Sequence, residues 1–88
     1  PAFLAVVVEA MSAAAREAGL AETLAHELLV ETMAGTAQLM EERPAEIVRE
    51  SVTSPGGATA AGLAKLEAGA VHDAFGDAVR AAVERFRS

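Results

Sequence analysis

The amino-acid sequence predicts an all-α chain, and three observations carry that reading. Alanine alone supplies 22 of the 88 residues, and it has the highest intrinsic helix propensity. The β-branched residues are scattered and do not alternate with polar ones, as a half-buried strand would require. Gly19, Pro44, Pro55-Gly56-Gly57 and Gly69 then cut the chain into five stretches of helical length.

Each stretch has its own justification. A first helix is predicted from Ala2 to Ala18, with Gly19 where a helix often ends in a left-handed residue. The first half of this helix is apolar all round, which predicts burial on more than one side. A second helix is expected from Glu22 to Glu41. Its Leu24, Leu28, Val30 and Met33 recur near three-to-four spacing, with Gly35 and Ala37 offering a close-approach patch. Pro44 opens a short third helix to Ser51, since proline is tolerated in a first turn. Thr53-Ser54-Pro55-Gly56-Gly57 must be a turn. A fourth helix follows from Ala58 to Ala68, stopped by Gly69. The last spans Val71 to Arg87, with Phe75, Val79, Ala82, Val83 and Phe86 on one stripe. Arg80, Arg85 and Arg87 gather toward its C-terminal end, where the helix dipole favours cations. There is no internal repeat, linker or low-complexity tail, so residues 1–88 are expected to form one domain.

Composition bounds what that domain can be. Hydrophobic residues make up 52% of the chain, but with three Phe, no Trp, no Tyr and so many alanines the core is thin. A domain of this size hides only about 60–65% of its unfolded surface. A lone monomer should be marginal, and the alanine-rich faces predict an oligomer.

Several function classes fall away. Without cysteine there is no disulfide framework, thiolate zinc site or cysteine nucleophile. That is compatible with the reducing cytoplasm, the compartment expected. The longest apolar run, Ala2 to Val8, falls far short of the roughly 20 residues a bilayer span needs. No basic region precedes it, so it is not read as a secretory signal and no membrane association is expected. A net charge of −6 is the wrong sign for nucleic acid. The acids crowd the first half, from Glu9 to Glu50, while the second half is neutral. An anion would bind in the second half.

Three enzyme signatures nearly occur. His26-Glu27 begins like the metalloprotease pair, but Val30 stands where the second histidine must lie. His26 and His72 are therefore read as surface or interface side chains, and no metal site is expected. Gly57 to Gly62 has P-loop spacing, yet Leu63 and Ala64 replace the lysine and the hydroxyl residue. No Gly-x-Gly-x-x-Gly exists to hold a dinucleotide. Asp73 and Asp77, one turn apart, read as a solvated acidic face.

The segment from Val52 to Thr59 is different. Its glycines can take positive φ and let a ligand approach the backbone. A helix starts directly after them, so the N–H groups of Ala58, Thr59 and Ala60 are first-turn donors at a positive dipole end. Ser54 and Thr59 add hydroxyls. That assembly suits a small carboxylate or phosphate. The alternative is an ordinary helix start in which Ser54 or Thr59 merely caps.

Thr53-Ser54-Pro55-Gly56-Gly57-Ala58-Thr59, with Gly62-Leu63 and Leu66-Glu67 after it, closely resembles the signature of the pyrroline-5-carboxylate reductases. The resemblance extends over the chain through Glu9-Ala10-Met11, Gly19-Leu20, Thr32, Gly35, Pro44, Ala78-Val79 and Arg85. Ala70-Val71-His72 depart from it, standing where the family has Gly-Phe-Arg, as do Phe3, Glu31 and Phe86. The resemblance implies an oxidoreductase of proline biosynthesis that reduces 1-pyrroline-5-carboxylate with NADPH or NADH. In that family an N-terminal Rossmann domain holds the nucleotide, and a helical C-terminal domain, which this chain resembles, builds an intertwined dimer. Five dimers assemble into a decamer in many members. Carried over by position, Ser54 and the Ala58 and Thr59 amides would hold the substrate carboxylate, Gly56 and Gly57 would shape the turn, and the Thr59 hydroxyl would approach the ring nitrogen as the catalytic group. Glu42 would be an acidic residue near the substrate. The nucleotide-binding half is not in these residues, which predicts no reductase activity or tight NADPH binding from them alone. A stand-alone, non-catalytic dimerisation module is the alternative.

Overall fold

In the computed structural model, which describes residues 1–87, the expected five helices appear in order. They are α1 (Ala2–Glu17), α2 (Glu22–Met40), α3 (Ala45–Ser51), α4 (Ala58–Ala68) and α5 (Val71–Arg87). Among the described residues there is no strand. The last position of the expected domain, Ser88, lies outside them. The chain divides into two compact units, Pro1–Val48 and Arg49–Ser88.

In the first unit α1 and α2 form a helical hairpin. The turn between them follows from Gly19, which takes φ +108. Its N–H donates to the Arg16 carbonyl and the Leu20 N–H to the Ala15 carbonyl, both at 3.0 Å. That is the Schellman arrangement, and it satisfies carbonyls that α1 would otherwise leave open. Arg16 also approaches Glu22 across the turn at 3.9 Å. Both side chains are well exposed, so the pair adds little to stability.

The hairpin seam differs from the stripe expected on α2. Ala25 is its buried residue, and Leu29, Met33 and Thr36 are half-buried along the same face. Leu24, Leu28 and Val30 remain 44–47% exposed. The small Ala25 side chain lets the backbones come close, so the hairpin packs on the narrow face and leaves the leucine-rich one open. The all-round apolar start of α1 is not buried by this chain: Phe3, Leu4 and Val6 are 42%, 59% and 54% exposed.

The second unit pairs α4 with α5. Gly69 stops α4, as the sequence suggests. Its φ is an ordinary −83, and the next residue, Ala70, takes the left-handed φ of 56. The Ala70 N–H closes α4 on the Glu67 carbonyl at 2.9 Å, while its carbonyl accepts the first bond of α5 from Ala74 at 3.0 Å. A Cβ in this region is crowded, whereas glycine enters it freely. The resembling family has glycine at this position. Ala70→Gly should therefore stabilise the protein by about 1 kcal/mol, raising Tm by a few degrees. A lower or unchanged Tm in a thermal melt would refute the strain.

Candidate functional site

The turn between α3 and α4 is built from backbone requirements. Gly56 takes φ +73, a conformation open to glycine at no steric cost. Gly57 has an ordinary φ of −86 and an extended ψ of 179. Its glycine requirement is spatial: a Cβ there would stand 3.3 Å from the Ser54 carbonyl oxygen and 3.6 Å from the Ser54 Cβ. The Gly57 N–H donates to that same carbonyl at 3.1 Å, closing the turn over Pro55 and Gly56. One residue thus reverses the chain and the next lets it pass tightly over Ser54.

Gly57 is also the N-cap of α4, and no side-chain hydrogen bond caps this end. The Gly57 carbonyl accepts the first helical bond, from Ala61 at 3.1 Å. Ala58, Thr59 and Ala60 occupy the first turn, whose N–H groups have no carbonyl partner within the helix. Ser54, Gly56, Ala58 and Thr59 are exposed, and Gly57 is half-buried. Neither Ser54 nor Thr59 caps this helix start. What the turn presents is a row of backbone donors at the positive end of a helix, flanked by two hydroxyl residues, which is suited to an anion. Glu42 belongs to the first unit, where it stands exposed on the turn that follows α2.

The near-miss motifs acquire plain places. Gly62 lies inside α4, so Gly57 to Gly62 forms a helix start rather than a phosphate-wrapping loop. Asp77 accepts a hydrogen bond from Arg80 at 2.7 Å. Among the described residues no group of three or more potential ligands could hold a metal. A dinucleotide cradle needs a strand, a glycine-rich turn and a helix, and the described residues contain no strand from which to build one. No described helix is long and apolar enough to cross a membrane.

Two features escaped the sequence reading. The Ser12 hydroxyl is buried with no hydrogen-bond partner. It lines an open groove of about 590 Å³ in the α1–α2 hairpin, together with Val8, Val30, Glu9, Glu22 and His26. The second is Thr53, whose hydroxyl donates to the Arg49 carbonyl at 2.6 Å. The available signal for the latter was a threonine two residues beyond a helix end.

Comparison with known proteins adds a relationship to this geometry. A family model described as pyrroline-5-carboxylate reductase dimerisation matches residues 1–88. The pyrroline-5-carboxylate reductase of Synechocystis is 44% identical over 88 residues, covering 97% of this chain and 33% of the relative. That of Thermus thermophilus is 45% identical over 85 residues, with the same shares. The chain thus spans about a third of the length of these relatives. The crystal structure of a Plasmodium falciparum pyrroline carboxylate reductase with NADP bound superposes with a TM-score of 0.92 at 30% identity, over 97% of this chain and 33% of that one.

Proposed function

We propose a function from one established premise: the chain belongs to the pyrroline-5-carboxylate reductase dimerisation family. It is the helical part of an enzyme that reduces 1-pyrroline-5-carboxylate to proline with NAD(P)H, and it supplies both the dimer contact and the carboxylate seat. The observation that carries the site is the Ser54–Thr59 turn, which aims uncapped helix donors where an anion is to be held.

In this reading the substrate carboxylate rests on the Ala58 and Thr59 amides with the Ser54 hydroxyl beside it. Fixing that group orients the ring, and the entropy of positioning is met before hydride transfer. The nicotinamide, when bound, supplies the hydride, and residues outside these 88 hold it. The Thr59 hydroxyl, five residues from Ser54 along the turn, donates a hydrogen bond to the nitrogen of the neutral imine; as hydride reaches the imine carbon, the nitrogen takes the hydroxyl proton and the threonine regains one from water.

The dimer reading rests on the unfinished core. Among the described residues only Ala25 and Val48 are buried, while large apolar side chains on every helix are more than a third exposed. Covering the exposed half of such a side chain is worth about 1 kcal/mol. In a dimer each copy covers the other, and covering half of these side chains on both copies outweighs the usual cost of association, about 4–15 kcal/mol. We assign the family's larger assembly, a decamer of five dimers, as the state this dimer builds. The cytoplasm is the assigned compartment, in keeping with a cysteine-free sequence.

Ser54→Ala and Thr59→Ala separate the two roles. In the full-length protein, Ser54→Ala is expected to raise the KM for the imine about three- to tenfold, with kcat within a factor of two. Thr59→Ala should lower kcat as well, by roughly tenfold or more, because its hydroxyl acts at the reacting nitrogen. Steady-state kinetics with the imine varied at saturating nucleotide measures both. Wild-type constants in both variants would overturn the site.

A further inference from the structure

The second unit holds a contact that the proposed site does not use, at the junction of α3 and the turn. α3 ends at Ser51. If the helix continued, the Thr53 N–H would bond the Arg49 carbonyl four residues back. It does not: it donates to the Glu50 carbonyl at 3.2 Å, and the Val52 N–H reaches the Arg49 carbonyl only at 3.4 Å. The Thr53 hydroxyl takes up that carbonyl instead, at 2.6 Å. A side chain has replaced the backbone donor at the place where the chain leaves the helix.

Thr32 and Thr36 make the same bond, hydroxyl to the carbonyl four back, both at 2.7 Å. Both lie within α2, where the helix itself already bonds each such carbonyl. There the hydroxyl is a second, redundant donor. At Thr53 it is the short bond on a carbonyl with only one weak backbone partner. The next residue is Ser54, whose carbonyl closes the turn on Gly57. The rigid path therefore runs from the α3 end through the Thr53 hydroxyl into Ser54 and on to the first turn of α4.

We propose that Thr53 is the positioning residue of the carboxylate seat: by tying the turn to the end of α3, its hydroxyl sets where Ser54 and the α4 donors stand. This rests on the reading of Ser54 to Thr59 as that seat. Thr53 does not touch substrate, so its effect falls on binding geometry. The side-chain methyl takes no part, and serine can do the same work.

The test is kinetic, in the full-length protein. Thr53→Val keeps the shape and deletes the donor. It is expected to raise the KM for the imine about three- to tenfold, with kcat and the KM for the nucleotide each within a factor of two. Thr53→Ser is expected to stay within a factor of two in every constant. Thr36→Val, which deletes the same kind of bond away from the turn, is expected to leave the KM unchanged. If Thr53→Val melts below the assay temperature, the decisive readout becomes hydrogen exchange at the Gly57 amide in Thr53→Ser, expected to match the unsubstituted protein. Faster exchange there overturns the proposal. An unchanged imine KM in Thr53→Val, or equal shifts in Thr53→Val and Thr36→Val, also overturns it. If Ser54→Ala and Thr59→Ala still impair the enzyme in that case, the seat stands and only the positioning role fails. If they too are silent, both readings fall.

Discussion

Val79→Glu in the full-length protein is expected to bring the molecular mass measured by light scattering down to that of the monomer and to lower Tm by 10 °C or more. Val79 is 50% exposed on a stripe of α5 that also leaves Phe75 39%, Val83 43% and Phe86 93% exposed. Among the described residues nothing covers that stripe, and in the proposed dimer the second copy does. A carboxylate placed there must stay solvated, and enclosing it unpaired costs several kcal/mol. At that cost the interface opens, and because each chain buries so little alone, the fold weakens with it. Arg80→Gln, one residue along but on the polar face, is the control. Arg80 is 70% exposed and pairs with Asp77 on its own helix; its loss should change neither mass nor Tm appreciably. A dimeric, wild-type-stable Val79→Glu protein would show that α5 is not part of the interface.

The two glycines of the turn should fail in different ways when substituted. Gly57→Ala places a Cβ 3.3 Å from the Ser54 carbonyl oxygen, and that oxygen is backbone already bonded to the Gly57 N–H. Relief requires Ser54 to move by tenths of an ångström, out of its place in the proposed seat. Imine kcat/KM is expected to fall at least roughly tenfold, since small misplacements of binding groups are costly. Gly56→Ala meets no atom within 4 Å, but its φ of +73 is strained for any side chain. It should lose about 1–2 kcal/mol of stability, read in a thermal melt, with a smaller change in KM. Equal effects on KM from both substitutions would mean that the turn tolerates no side chain for a reason other than the one argued.

Much of this was legible in the residues because it is local. Alanine content, Pro44 and the glycine stops located five helices to within a residue or two, since helix propensity and caps act over a single turn. Thr53 to Thr59 announced the turn, and the order of matches along the chain announced the family. Gly69 marked the end of α4, but no local pattern showed that Ala70 takes the left-handed conformation where α4 closes and α5 begins.

What the sequence determined by itself was the helix set, the glycine-bearing turn and the surplus of apolar surface over available core. Only the tertiary structure decided which face of α2 meets α1, the one carrying Ala25 and Leu29 rather than Leu24 and Leu28. It also decided that Gly57 is needed for space and Gly56 for conformation, and that a hydroxyl at Thr53 finishes α3. The physical reason is range. Propensity and periodicity report on neighbours three or four residues away. Packing faces, close approaches and single hydrogen bonds depend on how backbones approach one another in space, which no local pattern encodes.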